Sequence, residues 1–268
     1  MMQKELVKTI LDSVRTEPKT IQELAFLLQK NWRTADRYVE QIAVETGLIS
    51  SKIFRKGSRG ALKLVYWNAL EPGKGSAYQE RLLQKLLQGR HKEDFSPFDI
   101  FQFVSQEQRD ILRSNKMVNY TNVLATATEQ ILFFSGNLSW IDESPESMKL
   151  FESLLKKGIR CNILTRIDIV SEEKTHTLLQ LNTRFGADLI HIRHCEQPLR
   201  AMIIDSTNVS LKETLSPRHH KELPENVFLY YSIKDKEWIL WLQRVFWQLW
   251  NQSVDAETRL KALKEIHH

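Results

Sequence analysis

The sequence predicts an α/β protein carrying a smaller α+β domain at its N-terminus, on three observations. Apolar residues recur at helical spacing up to Gly47 and then give way to two runs of strand-forming residues. From about residue 118 helical and strand-like segments alternate, the pattern of a mainly parallel or mixed sheet covered on both faces. Charge is segregated as well. Residues 1–70 hold 12 Lys/Arg and 7 Asp/Glu, residues 71–268 hold 26 of each, and the whole net charge of +5 lies in the first quarter. One domain meeting a polyanion while the other does something else would carry such a distribution.

With 268 residues, 42% of them hydrophobic and 26% charged, the chain has the composition of a globular protein of two domains. The divisions it suggests are 1–69, a linker and connecting helix over 70–116, a sheet domain over 117–254, and a C-terminal tail over 255–268. Two cysteines, Cys161 and Cys195, are too few for a disulfide framework and have no CxxC spacing, which favours a reducing, cytoplasmic location. Charges interrupt every apolar run near the start, and no later run is long enough to span a membrane. No Gly-rich phosphate loop, GxSxG elbow or HExxH occurs.

Val7, Ile10, Leu11 and Val14 predict a helix over about 3–15. TIQE, from Thr20, reads as a capping box opening a second helix with Ile21, Leu24, Ala25 and Leu28 inward. After a short turn, WRTADRYVEQIAVET reads as a third helix ended by Gly47. LISSKIFRKGSRGALKLVYW then reads as a β-hairpin turning at 56–60. Three helices and a hairpin in this order predict a winged helix-turn-helix.

In that arrangement the first turns of the third helix enter the major groove of double-stranded DNA. Trp32, Arg33, Thr34 and Arg37 are therefore the candidate groove residues, with Arg33 and Arg37 four apart on one face. Trp32 has an alternative place against the wing strand. The hairpin offers Lys52, Arg55, Lys56, Arg59 and Lys63, and no acidic residue occurs between Glu45 and Glu71. Such a hairpin suits contact with the DNA backbone or minor groove.

NALEPGKGS, residues 68–76, reads as a linker, and YQERLLQKLLQ as a helix with a leucine stripe. Residues 89–116 carry no assignable pattern. Beyond them come a helix over NYTNVLATATEQ, a strand ILFFSG, a helix from 144 to 157, a strand IRCNILT and a helix near 173–185. Strands ADLIHIRH, LRAMIID and NVFLYYS follow, then a helix over about 235–252 whose Trp238, Trp241, Val245 and Leu249 fit either core packing or a dimer face.

ILFFSGNLSW, FESLLKKGIRCNILT, PLRAMIID and EWILWLQRVFWQLWNQS, in this order behind a winged helix, resemble TrmB-type archaeal transcription regulators. These join such a helix to a phospholipase D-like domain. The resemblance implies a dimer, because phospholipase D-like sites form between two copies of a His-x-Lys-x4-Asp motif. It also locates that motif. With Asp205 as the motif's Asp, Arg200 takes the Lys position and Pro198 the His position, so the nucleophile is missing, and SerLeuLys at 210–212 replaces the usual Gly-Ser. No catalytic residue and no cofactor is expected.

Arg200 and Asp205 have two readings. They hold a small anionic or polar effector with the help of Ser135 and Asn137, or they form a partly buried ion pair at a dimer seam. His191 and His194 alternate to opposite faces of a strand, which argues against a zinc site and leaves no metal expected. The sequence thus reads as a dimeric DNA-binding transcription regulator. The competing readings are a nuclease or phosphodiesterase with a noncanonical site, and a winged-helix adaptor that does not bind DNA.

Overall fold

The computed structural model describes residues 4–55, 61–67, 77–116, 121–141, 145–218, 220–221 and 223–266. The chain divides into two compact units, Met1–Lys74 and Gly75–His268, parted within the segment read as a linker.

The first unit packs three helices, α1 (Lys4–Thr16), α2 (Ile21–Leu27) and α3 (Trp32–Thr46), on a small antiparallel sheet. The sheet consists of β1 (Lys19–Thr20), β2 (Ile49–Arg55) and β3 (Ala61–Trp67) in the order β1-β3-β2. The local signals act as physical switches. Thr20 Oγ1 accepts the Glu23 amide at 3.1 Å while Glu23 returns a bond to the Thr20 amide at 2.6 Å, fixing the start of α2. Asn31 Oδ1 accepts from the Thr34 amide at 2.9 Å and opens α3. Gly47, at φ 63°, ends α3 in the left-handed region that a side chain would strain. Ile10, Val14, Ile21, Leu24, Ala35, Val39, Ile42, Ile49 and Val65 close one core. The pairing of β1 with β3, Lys19 opposite Val65, is too short to show a sequence period.

The second unit begins with α4 (Ala77–Gln88), which buries Leu82, Leu83 and Leu86. The stretch 89–116 that carries no readable pattern holds a 3-10 turn at Lys92–Asp94, α5 (Phe98–Phe101) and β4 (Arg109–Ser114). β4 lies at the edge of the large sheet and exposes the adjacent Ile111 and Leu112, so no alternation marks it as a strand. Among the described residues, the helix expected over NYTNVLATATEQ extends only over α6 (Thr121–Leu124). The Asp205 carboxylate takes the amides of residues 128–130 away from any helical ladder.

An eight-stranded mixed sheet follows, from β5 (Gln130–Phe134), β6 (Arg160–Thr165), β7 (Ile190–His194), β8 (Ala201–Ile204), β9 (Asn208–Leu215), β10 (Val227–Ile233) and β11 (Val254–Asp255) together with β4. Its order is β11-β7-β6-β5-β8-β9-β10-β4. β5, β6 and β7 are parallel and the other pairings antiparallel. α7 (Pro145–Lys156), α8 (Glu172–Phe185) and α10 (Ala256–Ile266) cover one face through Phe151, Leu154, Leu178, Leu181, Leu260 and Leu263. α9 (Lys236–Gln252) buries Trp238, Trp241, Val245 and Leu249 in the core, so this stripe is not a free dimer face. Phe246 of α9 meets Phe134 of β5 edge-on at 5.2 Å, on the sheet face opposite α7 and α8.

One expectation needs correction here. Within the supposed tail, Ala256–Ile266 form α10, opened by Asp255, whose carboxylate accepts from the Thr258 amide and hydroxyl at 2.9 and 2.8 Å. And SerLeuLys at 210–212, which stands in the place of the motif's Gly-Ser, lies within the strand β9, with Val209 and Leu211 buried.

Candidate functional site

Two constellations stand out, one in each unit. In the first, α3 buries Ala35, Val39 and Ile42 and therefore turns Arg33 and Arg37 to the exposed side. Trp32 is 54% exposed. The Arg33 guanidinium lies over the Trp32 ring at 5.5 Å, and that of Arg37 over Tyr38 at 5.7 Å. Each stacked guanidinium keeps its in-plane N–H groups available for a base edge or a phosphate. Thr34 is half-buried and its amide is committed to the Asn31 cap.

Lys63 departs from expectation. Its ammonium reaches back to α3, ion-paired to Asp36 and, at 2.9 Å, to Glu40, and its side chain keeps only 15% of its exposure. Burial acts to lower its pKa, but hydrogen bonds to the two carboxylates outweigh it and the net shift is upward. Lys63 thus ties β3 to α3 and is not a free wing cation. Lys52 and Arg55 lie on β2, whereas Lys56 and Arg59 fall outside the described residues.

In the second unit the expected set does not assemble. Arg200 precedes β8 and Asp205 follows it, a whole strand apart, so they form no pair. Asp205, at φ 52°, spends both carboxylate oxygens on the amides of Thr128, Glu129 and Gln130 at 2.9–3.0 Å and on the Thr128 hydroxyl at 2.9 Å. It staples the start of β5 and is not a ligand group. Ser135 is 2% exposed, and its hydroxyl serves the Leu138 amide and the Trp140 indole. Asn137 accepts from the Ser139 amide at 3.3 Å within the same turn. Both build the loop after β5.

Pro198 is buried. A methyl placed on Gly89 would come within 2.9 Å of its ring and 3.1 Å of the Lys85 carbonyl, so the position of the missing nucleophile is sealed by the end of α4. His194 Nδ1 accepts from the Ile167 amide at 2.9 Å, which puts the proton of the neutral ring on Nε2 and leaves no free lone pair for attack. Burial first, and then Arg259, hold its pKa below the ordinary value. His191 is across the sheet, its partner residue Asn162 where His194 has Thr165, and lies 3.7 Å from Asp188. Among the described residues no group of three His, Cys, Asp or Glu is placed to hold a metal ion.

Arg200 does line a cavity of about 190 Å³. Phe133, Met202 and Trp140 give it an apolar floor and wall, while Lys92 and Lys212 join Arg200 around it. Lys212 escaped the sequence reading, although SLKET alternates Ser210, Lys212 and Thr214 against the buried Leu211. Arg200 is pushed down to about pKa 10, by burial first and Arg166 second, and stays charged at neutral pH. Burial, then Arg200 and Lys92, also lower Lys212.

No family model matches the sequence and no curated protein is similar to it. Among solved structures, TrmBL2, an archaeal chromatin protein described as showing a novel mode of DNA binding, is 12% identical with a TM-score of 0.41 over 95% of each chain. Nuc, a phospholipase D family member from Salmonella typhimurium, is 16% identical with a TM-score of 0.39, covering 55% of this chain and 96% of its own. NucT from Helicobacter pylori is 14% identical with a TM-score of 0.36, covering 55% and 99%. Function must therefore come from the side chains.

Proposed function

We propose that this chain is a cytoplasmic DNA-binding transcription regulator of TrmB type. Its first unit acts as a winged helix-turn-helix, and its second as a catalytically inactive phospholipase D-like domain that dimerises and binds a small effector. The observation that carries the DNA reading is the exposed pair Arg33 and Arg37 on the outer face of α3, each braced by an aromatic ring. Behind α3, Lys63 satisfies Asp36 and Glu40, which mutes the two carboxylates nearest that face. Hairpin residues 46–70 add cations and no acid. Arg33 and Arg37 then divide between guanine edges and phosphates, and Lys52, Arg55, Lys56 and Arg59 track the backbone.

Support for a silent second unit comes from the sealed Pro198 and the committed Nδ1 of His194. A regulator of this kind leaves a chromogenic phosphodiester such as bis(p-nitrophenyl) phosphate uncleaved, and turnover abolished by Arg200→Gln would favour the enzyme reading instead. Dimerisation has an available edge in β4, with Ile111 46% and Leu112 52% exposed on its two faces. Two copies would present paired helices to half-sites about 34 Å apart, one DNA turn.

One observation favours the adaptor reading. Phe26 is 89% and Leu27 48% exposed at the end of α2, an apolar patch suited to a protein partner. Gel shifts with random duplex DNA at low salt decide between the two. DNA binding that weakens at least tenfold in Arg33→Ala/Arg37→Ala supports the regulator. No binding, or binding unaffected by the double substitution, supports the adaptor.

A further inference from the structure

We infer that the cavity at β8 and β9 binds a phosphate monoester carrying a flat apolar body, held by Arg200, Lys212 and Lys92. This deepens the effector role proposed above and rests on it only for regulatory meaning; the binding itself depends on the cavity alone. Three cations from three separate segments converge there: Lys92 from the 3-10 turn, Arg200 from the approach to β8, and Lys212 from β9. The backbone pairs the latter two directly, since the Lys212 amide donates to the Arg200 carbonyl at 2.7 Å. Their side chains share a sheet face with Met202 and Ser210.

Of the nearby carboxylates Glu213 and Asp94 are engaged elsewhere, whereas Glu93 pairs with Lys92 and acts at longer range on Arg200. Glu213 points through the opposite face to the Tyr231 and Ser96 hydroxyls at 2.6 and 2.8 Å. Asp94 accepts the Arg90 and His91 amides, and Glu93 lies 3.8 Å from Lys92. None of these acids lines the cavity, and among the described residues none is ion-paired to Arg200 or Lys212. Arg200 Nη1 donates to the Gln197 and Leu199 carbonyls at 3.2 and 2.7 Å, leaving Nη2 against Gly136. Lys212 rests 4.8 Å over the Phe228 ring. Like charges brought together in a half-buried pocket repel each other and favour an anion between them.

The count of donors selects the class. A monoester phosphate brings nearly two negative charges and three acceptor oxygens. Arg200, Lys212 and Lys92, less the one charge of Glu93 beside Lys92, match that charge, and Ser210 and Thr214 line the same cavity. A bare inorganic anion would leave the rest empty of contacts. Trp140, held by its indole bond to Ser135 at 2.9 Å and stacked on Phe133 at 5.0 Å, gives a rigid apolar wall for a flat group.

Calorimetric titration of the full chain with phenyl phosphate, inorganic phosphate and phenol tests this. Phenyl phosphate should bind once per chain, at least tenfold more tightly than either fragment, and raise the melting temperature. Arg200→Gln and Lys212→Gln should each weaken it at least tenfold. Gly136→Ala, whose methyl would fall 2.5 Å from Arg200 Nη2 and displace that flexible end without disturbing backbone, should do the same in a chain that folds normally. Arg33→Ala/Arg37→Ala should leave it unchanged, so a failure of DNA binding is told apart from a failure of this site. Equal affinity for inorganic phosphate or phenol, binding that survives Arg200→Gln/Lys212→Gln, or no binding at all would overturn the inference.

Discussion

At the residue scale, several charged side chains have been placed for reasons other than stability. Lys212 is the clearest. Burial and the neighbouring Arg200 and Lys92 oppose its charge, and among the described residues no carboxylate is ion-paired to it. Replacing it with methionine keeps the stem and removes the repulsion, so Lys212→Met should raise the melting temperature of the ligand-free protein by about 2–4 °C, as for a gain of ~1 kcal/mol in a chain of this size. Differential scanning calorimetry without phosphate in the buffer reads it, and a lower melting temperature contradicts the account. His194 gives a prediction of the opposite kind. Burial and Arg259 depress its folded pKa, with Glu196 and Asp168 offsetting part of the effect, and its Nδ1 must stay unprotonated to accept from Ile167. An unfolded histidine takes up its proton near pH 6.5, the folded ring only lower. The unfolded state therefore binds more protons as pH falls. The stability contributed by the neutral ring is complete above about pH 6.5 and is lost as pH drops through the folded value. Melting temperature should decline between pH 7 and 5, and His194→Gln should flatten that decline.

At the scale of elements, short polar signals decide where structure begins and ends. The capping box of α2 commits the Thr20 hydroxyl and the Glu23 carboxylate to each other's amides, so Thr20→Ala should cost about 1 kcal/mol in chemical denaturation. That signal was legible, as were Gly47, the leucine stripe of α4 and the tryptophans of α9, because each follows from a local period or a cap. Elements whose cause lies far along the chain were not legible. The amides of residues 128–130 leave a helical pattern for a carboxylate 75 to 77 residues downstream. Asp205→Ala should free those amides, of which that of Gln130 belongs to a buried residue, and lower stability by about 1–3 kcal/mol, as expected when hydrogen bonds to a charged acceptor are lost. β4 is an edge strand with neighbouring residues exposed on both faces, so no period could reveal it. The candidate site failed for the same reason. A strand's length separates Arg200 from Asp205, while the cations that do join Arg200 come from a 3-10 turn more than 100 residues upstream and from β9, a strand the sequence reading did not assign.

At the scale of the whole molecule, charge is divided as the proposed labour is: excess cations over residues 1–70 and exact balance over 71–268. If β4 is the dimer edge, Ile111→Lys/Leu112→Lys should shift the sedimentation coefficient from dimer to monomer and weaken DNA binding without changing Arg33 or Arg37. The central claim is that α3 and the hairpin neutralise DNA phosphates, and the salt dependence of binding measures it directly. Besides Lys63, which is occupied internally, the sequence of α3 and the hairpin supplies six candidate cations: Arg33, Arg37, Lys52, Arg55, Lys56 and Arg59. With each contact contributing about −0.9, a plot of log affinity against log salt concentration should fall with a slope near −5 per subunit. Arg33→Ala/Arg37→Ala should reduce that slope by about 2 if both touch phosphate, and by less if either reads a base edge. A slope near zero in the unaltered protein, or one that the double substitution leaves unchanged, would contradict the account.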